Sequence, residues 1–128
     1  MAEQTLIEKL ARISKSSTVY EYINDLYNRF ISLFKVTPVA ASTYTLLGTD
    51  TLLHVTYTDT GSVAISIPTD QIVDNRIFEI VDAGNGAATY NITITPASGN
   101  IQHDTNLVLN ANGQAITLYC YDGNIFIK

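Results

Sequence analysis

Hydrophobic residues follow two different periods along this chain. Between residues 19 and 33 they recur at four-three-four-three spacing, as Val19, Ile23, Leu26, Phe30 and Leu33, which is one stripe of an α-helix. Glu21, Asp25, Asn28, Ser32 and Lys35 fall on the far side. Tyr20, Tyr22, Tyr27, Ile31 and Phe34 widen the apolar sector beyond a dimer seam. From residue 43 onward the period becomes two. Val63, Ile65 and Ile67 share one face, as do Tyr90, Ile92 and Ile94, and Ile116, Leu118 and Cys120, which is the alternation of strands with one covered face.

Local signals set the boundaries. Thr5-Leu6-Ile7-Glu8 and Thr18-Val19-Tyr20-Glu21 both have the form of a capping box, in which a hydroxyl caps the third amide and the carboxylate reaches back. They predict helices over residues 6–14 and 19–34, with a bend at Ser14, Ser16 and Ser17. Pro38 disfavours helix at Thr37 and cannot continue one itself. The expected organisation is therefore an N-terminal helical segment over 1–35, a linker over 36–42 and a β knob domain over 43–128. Strands are expected over 43–47, 51–57, 62–67, 76–81, 89–95, 106–109, 114–121 and 124–128. Asp122-Gly123 is the strongest hairpin signal, because both central residues of a type I′ turn need positive φ.

Two features ask for a partner. A helix of about 16 residues spans roughly 24 Å and is marginal alone in water. Its stripe, Val19, Ile23, Leu26, Phe30 and Leu33, is expected to be a contact surface, with two covers open: neighbouring copies in a short coiled-coil-like bundle, which would make it an oligomerisation site, or the chain's own β domain. Some strands are apolar on both faces. Ile77 and Val81 oppose Phe78 and Ile80, and Ile125 and Ile127 oppose Phe126. A small two-sheet domain has too few layers to cover all of them, and a subunit interface is the simplest second cover. Phe78, Ile80, Tyr119, Tyr121 and Phe126 are the expected knob interface.

Composition narrows the functional classes. The 128 residues are 46% hydrophobic and 15% charged, too apolar for a disordered chain and of single-domain size. Up to Lys35 five basic residues face four acids, and beyond it Arg76 and Lys128 face eight. A net charge of -5 argues against nucleic acid, which needs clustered Lys and Arg. No stretch has the length of an apolar span, and Glu3 and Glu8 sit where a signal peptide would be basic, then apolar. A soluble chain without membrane association or a leader of its own is expected. The lone Cys120 lies in an apolar run and reads as a small core residue.

No residue pattern points to catalysis or to a cofactor. Asp82-Ala83-Gly84-Asn85-Gly86 lacks the Lys and following helix of a phosphate loop and reads as a turn. His103 and Asp104 are adjacent, but His54 is the other imidazole of the chain, short of the three or four ligands a metal needs. No nucleophile elbow accompanies the Ser and Thr residues. Asp59, Asp74 and Asp104 lie in apparent turns and suggest no carboxylate pair for glycoside hydrolysis. Eight tyrosines could stack on sugar rings, though core and interface packing is their commoner use.

The order of features from Tyr44 onward is similar to a module of phage virion proteins found in tail-fibre and head-fibre chains. The residues that carry the resemblance are Tyr44-Thr45-Leu46, Asp50, Thr60-Gly61, and Ile65-Ser66-Ile67-Pro68. Asn75 to Gly84, Asn91-Ile92-Thr93-Ile94-Thr95-Pro96 and the aromatic hairpin Tyr119 to Phe126 follow in the same order. The match covers about two-thirds of the chain. Two positions depart from the pattern: the family's Ile-Asp-Gly step is Ile101-Gln102-His103-Asp104 here, and Ile125-Phe126 replaces a terminal Trp. The resemblance implies a mainly β protein, with an N-terminal helical segment followed by a small antiparallel β-sandwich or jelly-roll-like domain, assembling as a homotrimer. It implies a structural role without enzymatic activity. Expected from it is a capsid decoration or head-fibre protein on the capsid surface of the virion, partnered by the major capsid protein. The alternative is a short tail-fibre or receptor-binding protein in which knob aromatics, or loops 83–88 and 96–106, contact a host surface glycan.

Overall fold

The structure, a computed structural model, describes residues 17–32 and 35–128. The chain divides into two units, one ending at Phe34 and the other running from Lys35 to Lys128, and each is described by itself. The expected helix over 6–14, and Leu33 of the apolar stripe, lie outside the described residues.

Helix α1 spans Ser17–Ser32. Thr18 therefore falls inside its first turn rather than ahead of it. Asp25 and Arg29 form an i,i+4 ion pair at 3.0 Å on the polar side, worth a few tenths of a kcal/mol at such exposure, about 0.3–0.5. Val19, Leu26 and Phe30 are exposed, Phe30 at 60%, and Ile23 is half-buried.

The second unit is mainly β. Its strands are β1 (Val36–Val39), β2 (Thr43–Thr45), β3 (Leu52–Val55), β4 (Val63–Ile67), β5 (Ile77–Asp82), β6 (Ile92–Pro96), β7 (Leu107–Leu109), β8 (Ala115–Tyr121) and β9 (Asn124–Ile127). One sheet has the order β1-β3-β5-β8-β9 and the other β2-β4-β6-β7. The first six strands alternate between the sheets, so the chain winds, and every second strand runs the same way. β1, β3 and β5 are parallel, as are β2, β4 and β6. The antiparallel pairs among the described strands are β5–β8, β6–β7 and β8–β9.

This corrects the antiparallel domain expected above: both sheets are mixed. Parallel neighbours need a crossover connection, commonly a helix. Here a strand of the opposite sheet fills that role. A second correction concerns the linker over 36–42, because β1 occupies Val36–Val39 and pairs with β3. Pro38 is tolerated there because β1 is the edge of its sheet, where a missing N–H costs no ladder bond and discourages pairing with another chain.

The winding stacks like on like. Val63, Ile92 and Leu109 lie side by side, as do Leu53, Ile80 and Ile116. Inner residues of both sheets belong to one buried cluster, whose members among the described residues run from Val39 to Ile125. Cys120 is part of it, and burial raises the pKa of its thiol, as the core reading of that residue requires.

Two buried carboxylates tie the windings. Asp50 Oδ1 accepts from Thr37 Oγ1 at 2.7 Å, and Oδ2 from Tyr44 OH at 2.7 Å and the Leu47 amide at 2.8 Å. Asp82 accepts from the Thr58 hydroxyl, and from the amides of Ala87 at 2.9 Å, Gly113 at 3.0 Å and Gly86 at 3.5 Å. The loop that resembles a phosphate cradle thus wraps the protein's own carboxylate, and Asp82 consumes the amides an anion would need.

Candidate functional site

In a sheet with one buried face, position in the alternation decides which residues meet solvent. On β8 the inward set is Leu118 and Cys120, which leaves Tyr119 and Tyr121 outward. The register then fixes its neighbours. Ile77 of β5 lies opposite Tyr119, and Phe126 of β9 lies opposite it on the other side. Ile77, Tyr119 and Phe126 therefore form a row across three strands on the outer face.

The row is aromatic and ordered. Tyr119 and Phe126 stack with centroids 5.5 Å apart and planes at 29°. His103 meets the Phe126 ring edge-on, with centroids 5.7 Å apart and planes at 70°. Beside the row a cleft of about 370 Å³ is lined by Asn75, Ile77, Tyr119, Cys120, Tyr121 and Lys128. Tyr121, at 60% exposure, is the most open ring of this face. One cross-strand row further along, Glu79 of β5 lies opposite Thr117 of β8, and Thr117 Oγ1 donates to Glu79 Oε1 at 2.8 Å.

His103 is held where its backbone is costly. Gln102 and His103 have φ of 50° and 68°, the left-handed region, which costs a non-glycine residue roughly 1–2 kcal/mol. They are the central residues of a tight turn closed by Ile101 N to Asp104 O at 2.8 Å and Asp104 N to Ile101 O at 2.9 Å. The turn is pinned to β9, where the Gln102 amide donates to Ile125 O at 2.8 Å and Gln102 Oε1 accepts from the Ile127 amide at 2.9 Å. These bonds keep the imidazole on the Phe126 ring. Strain maintained at a surface is a pointer to use.

The structure brings together only part of the expected knob interface. Tyr119, Tyr121 and Phe126 share the outer face, whereas Phe78 and Ile80 are fully buried, Phe78 at 1% exposure. That is a correction: β5 is apolar on both faces, and the pairing of Phe78 with Leu118 turns Phe78 and Ile80 into the core. Ile77 takes the outer place instead. His103, Glu79 and Lys128 join the face without having been expected there. On the helix, Val19, Ile23, Leu26 and Phe30 share the stripe as expected.

Other candidates yield no site. His54 is exposed on the outer side of β3. Among the described residues no group of three or more His, Cys, Asp or Glu is placed to hold a metal ion, and no helix is long and apolar enough to cross a membrane. Asp74 Oδ1 accepts from the Asp122 amide at 2.8 Å and serves the β8–β9 hairpin. Arg76 donates to the carbonyls of Asp50 at 2.7 Å and Leu47 at 3.0 Å, with its guanidinium 5.7 Å from the Phe78 ring centroid. Its role is to hold the turn before β3. No protein-family model matches this chain, and no curated protein matches it.

Proposed function

We propose that this chain is a virion structural protein, a homotrimeric phage capsid decoration or head-fibre protein whose α1 helices bundle or dock on the major capsid protein. In this reading the two sheets form a sandwich-like knob at the capsid surface, and the protein is not an enzyme. The observation that carries the reading is the apolar outer face of the β unit, where Ile77, Tyr119 and Phe126 form one cross-strand row and Ile77, Tyr119 and Tyr121 are exposed. Among the described residues of α1, Val19 and Leu26 are exposed as well. Tyr20, Tyr22 and Tyr27 flank the stripe and are exposed too, making a sector that two neighbouring helices cover better than one. The virion assignment rests on the resemblance of residues 44–126 to fibre and head-fibre modules.

The mechanism is avidity. Three weak contacts joined in one particle-bound trimer hold it without a single strong site. Sedimentation of the full chain is expected to give about three times its 14.0 kDa mass, and co-sedimentation with purified empty capsids tests the docking. A monomer at micromolar concentration would remove the trimer. The cleft beside Tyr119 and Tyr121 supports a second reading, a short tail-fibre or receptor-binding protein that holds a surface glycan. Glycan-array binding without capsid binding selects that reading.

A further inference from the structure

We propose that the outer face of β5, β8 and β9 is where a second copy of this chain seats, with Glu79 of one copy facing Lys128 of the next. This rests on the homotrimer reading and names the surface and the ion pair that join the knobs.

The centre of the face is the row Ile77, Tyr119 and Phe126, with Tyr121 beside it. Tyr119 and Tyr121 are exposed and Phe126 is half-buried beside them, while Glu79 and Lys128 flank β8 along the lines of its two neighbouring strands. Aromatic residues with charge outside them match the anatomy of an interface. The two sides differ in sign. Glu79 lies on β5, and Lys128 follows β9, two strands away. Strand spacing puts them roughly 10 Å apart, and no ion pair joins them within the chain. A rotation about an axis parallel to the strands brings the β9 side of one copy against the β5 side of its neighbour. Each acid then meets a base, and each aromatic row meets another row. A face with the same sign on both sides would repel its own copy.

Magnitude decides what this face can do. Three strands at ~4.8 Å spacing, along the seven residues of β8 at ~3.3 Å each, give a projected area of roughly 300 Å². A stable interface of standard size takes about 800 Å² per partner. The knob face therefore does not assemble free chains by itself. It closes once the helices have raised the local concentration of its partner, as the second contact of a bivalent association.

The experiment is a charge swap in the full chain, read as the trimer dissociation constant by sedimentation, with thermal unfolding as a check on folding. E79K and K128E place like charges together, and each is expected to weaken the trimer about ten-fold or more. The E79K/K128E double variant restores opposite charges and is expected to return to within about three-fold of the parent. Single variants that assemble like the parent would overturn the proposal while leaving the trimer standing, and so would a double variant weaker than either single. A parent chain that is monomeric throughout overturns the trimer itself. N,N′-diacetylchitobiose contacting the Tyr119 ring by saturation-transfer NMR, with the single variants assembling normally, would assign the face to a glycan and overturn the proposal.

Discussion

Tyr44 donates its phenolic hydrogen to Oδ2 of Asp50 at 2.7 Å, and the carboxylate that accepts it is 1% exposed. The other donors to Asp50 are Thr37 of β1 and the Leu47 amide just after β2, so a single side chain ties the first two strands of the winding to the turn that follows. Asp50→Asn offers one acceptor oxygen where two are in use and buries an NH2 among donors. It is expected to cost about 2–4 kcal/mol, measured by urea unfolding. Tyr44 adds an alkaline signature. Burial first, then the hydrogen bond to Asp50 and its charge, push the phenol from 10.0 up to about 12. The fold favours the neutral phenol, so its contribution is complete below about pH 10 and is lost as pH rises through about 12. The melting temperature of Tyr44→Phe is expected to fall less over that window than that of the parent.

Asp82 makes the opposite prediction. Burial pushes its carboxyl up, but the Thr58 hydroxyl and the amides of Ala87, Gly113 and Gly86 together outweigh burial and leave the pKa lowered from 3.8. The fold favours the carboxylate. Its contribution is present above the ordinary Asp value and disappears as pH falls through the lowered one. Acid unfolding of the parent is expected to steepen below about pH 4, and Asp82→Asn is expected to start about 2–4 kcal/mol less stable at neutral pH with a shallower acid limb.

Much of this architecture was legible in the pattern. All eight expected strands overlap observed ones, and Asp122-Gly123 forms the expected turn with φ of 52° and 75°. What the pattern left open was pairing direction. Alternation reports which face is covered, and a strand such as Val63–Ile67 reads the same whether its neighbour runs with it or against it. β1 was hidden because Pro38 argues for a break except at a sheet edge. At the outer face, the alternation of Leu118 and Cys120 on β8 implies Tyr119 outward, but β5 is apolar on both faces, and only the pairing of Phe78 with Leu118 sets Ile77 rather than Phe78 beside Tyr119. The turn at Gln102-His103 was signalled only by standing where the resemblance has an Ile-Asp-Gly step, since Gln102 does not itself announce positive φ.

Backbone proximity makes a sharper prediction for the glycines. A Cβ on Gly86 would stand 1.9 Å from Thr58 O, and one on Gly84 would stand 2.4 Å from Thr56 O, where no side chain can yield. Gly86→Ala is expected to leave little soluble folded protein, since the Asp82 loop could no longer close on that backbone. Gly123 has open space around it and a φ of +75°, so Gly123→Ala carries only the left-handed penalty of about 1–2 kcal/mol. Side-by-side expression and thermal unfolding of the two variants separates close approach from backbone strain.

The helix and the β unit should respond separately to substitution. Leu26→Asp with Phe30→Asp puts two carboxylates on the apolar stripe of α1, where burial between copies would strand each charge without a partner. Assembly is expected to fail, with sedimentation shifting to the single-chain mass. If the stripe is covered between copies, the unfolding free energy of the β unit in urea, followed by near-ultraviolet circular dichroism and compared in the monomeric range, is expected to change by no more than about 0.5 kcal/mol. A large loss of β stability in this variant would mean that α1 packs on its own knob. The same stripe would then be an internal contact, and the source of the oligomer would have to be sought on the sheets.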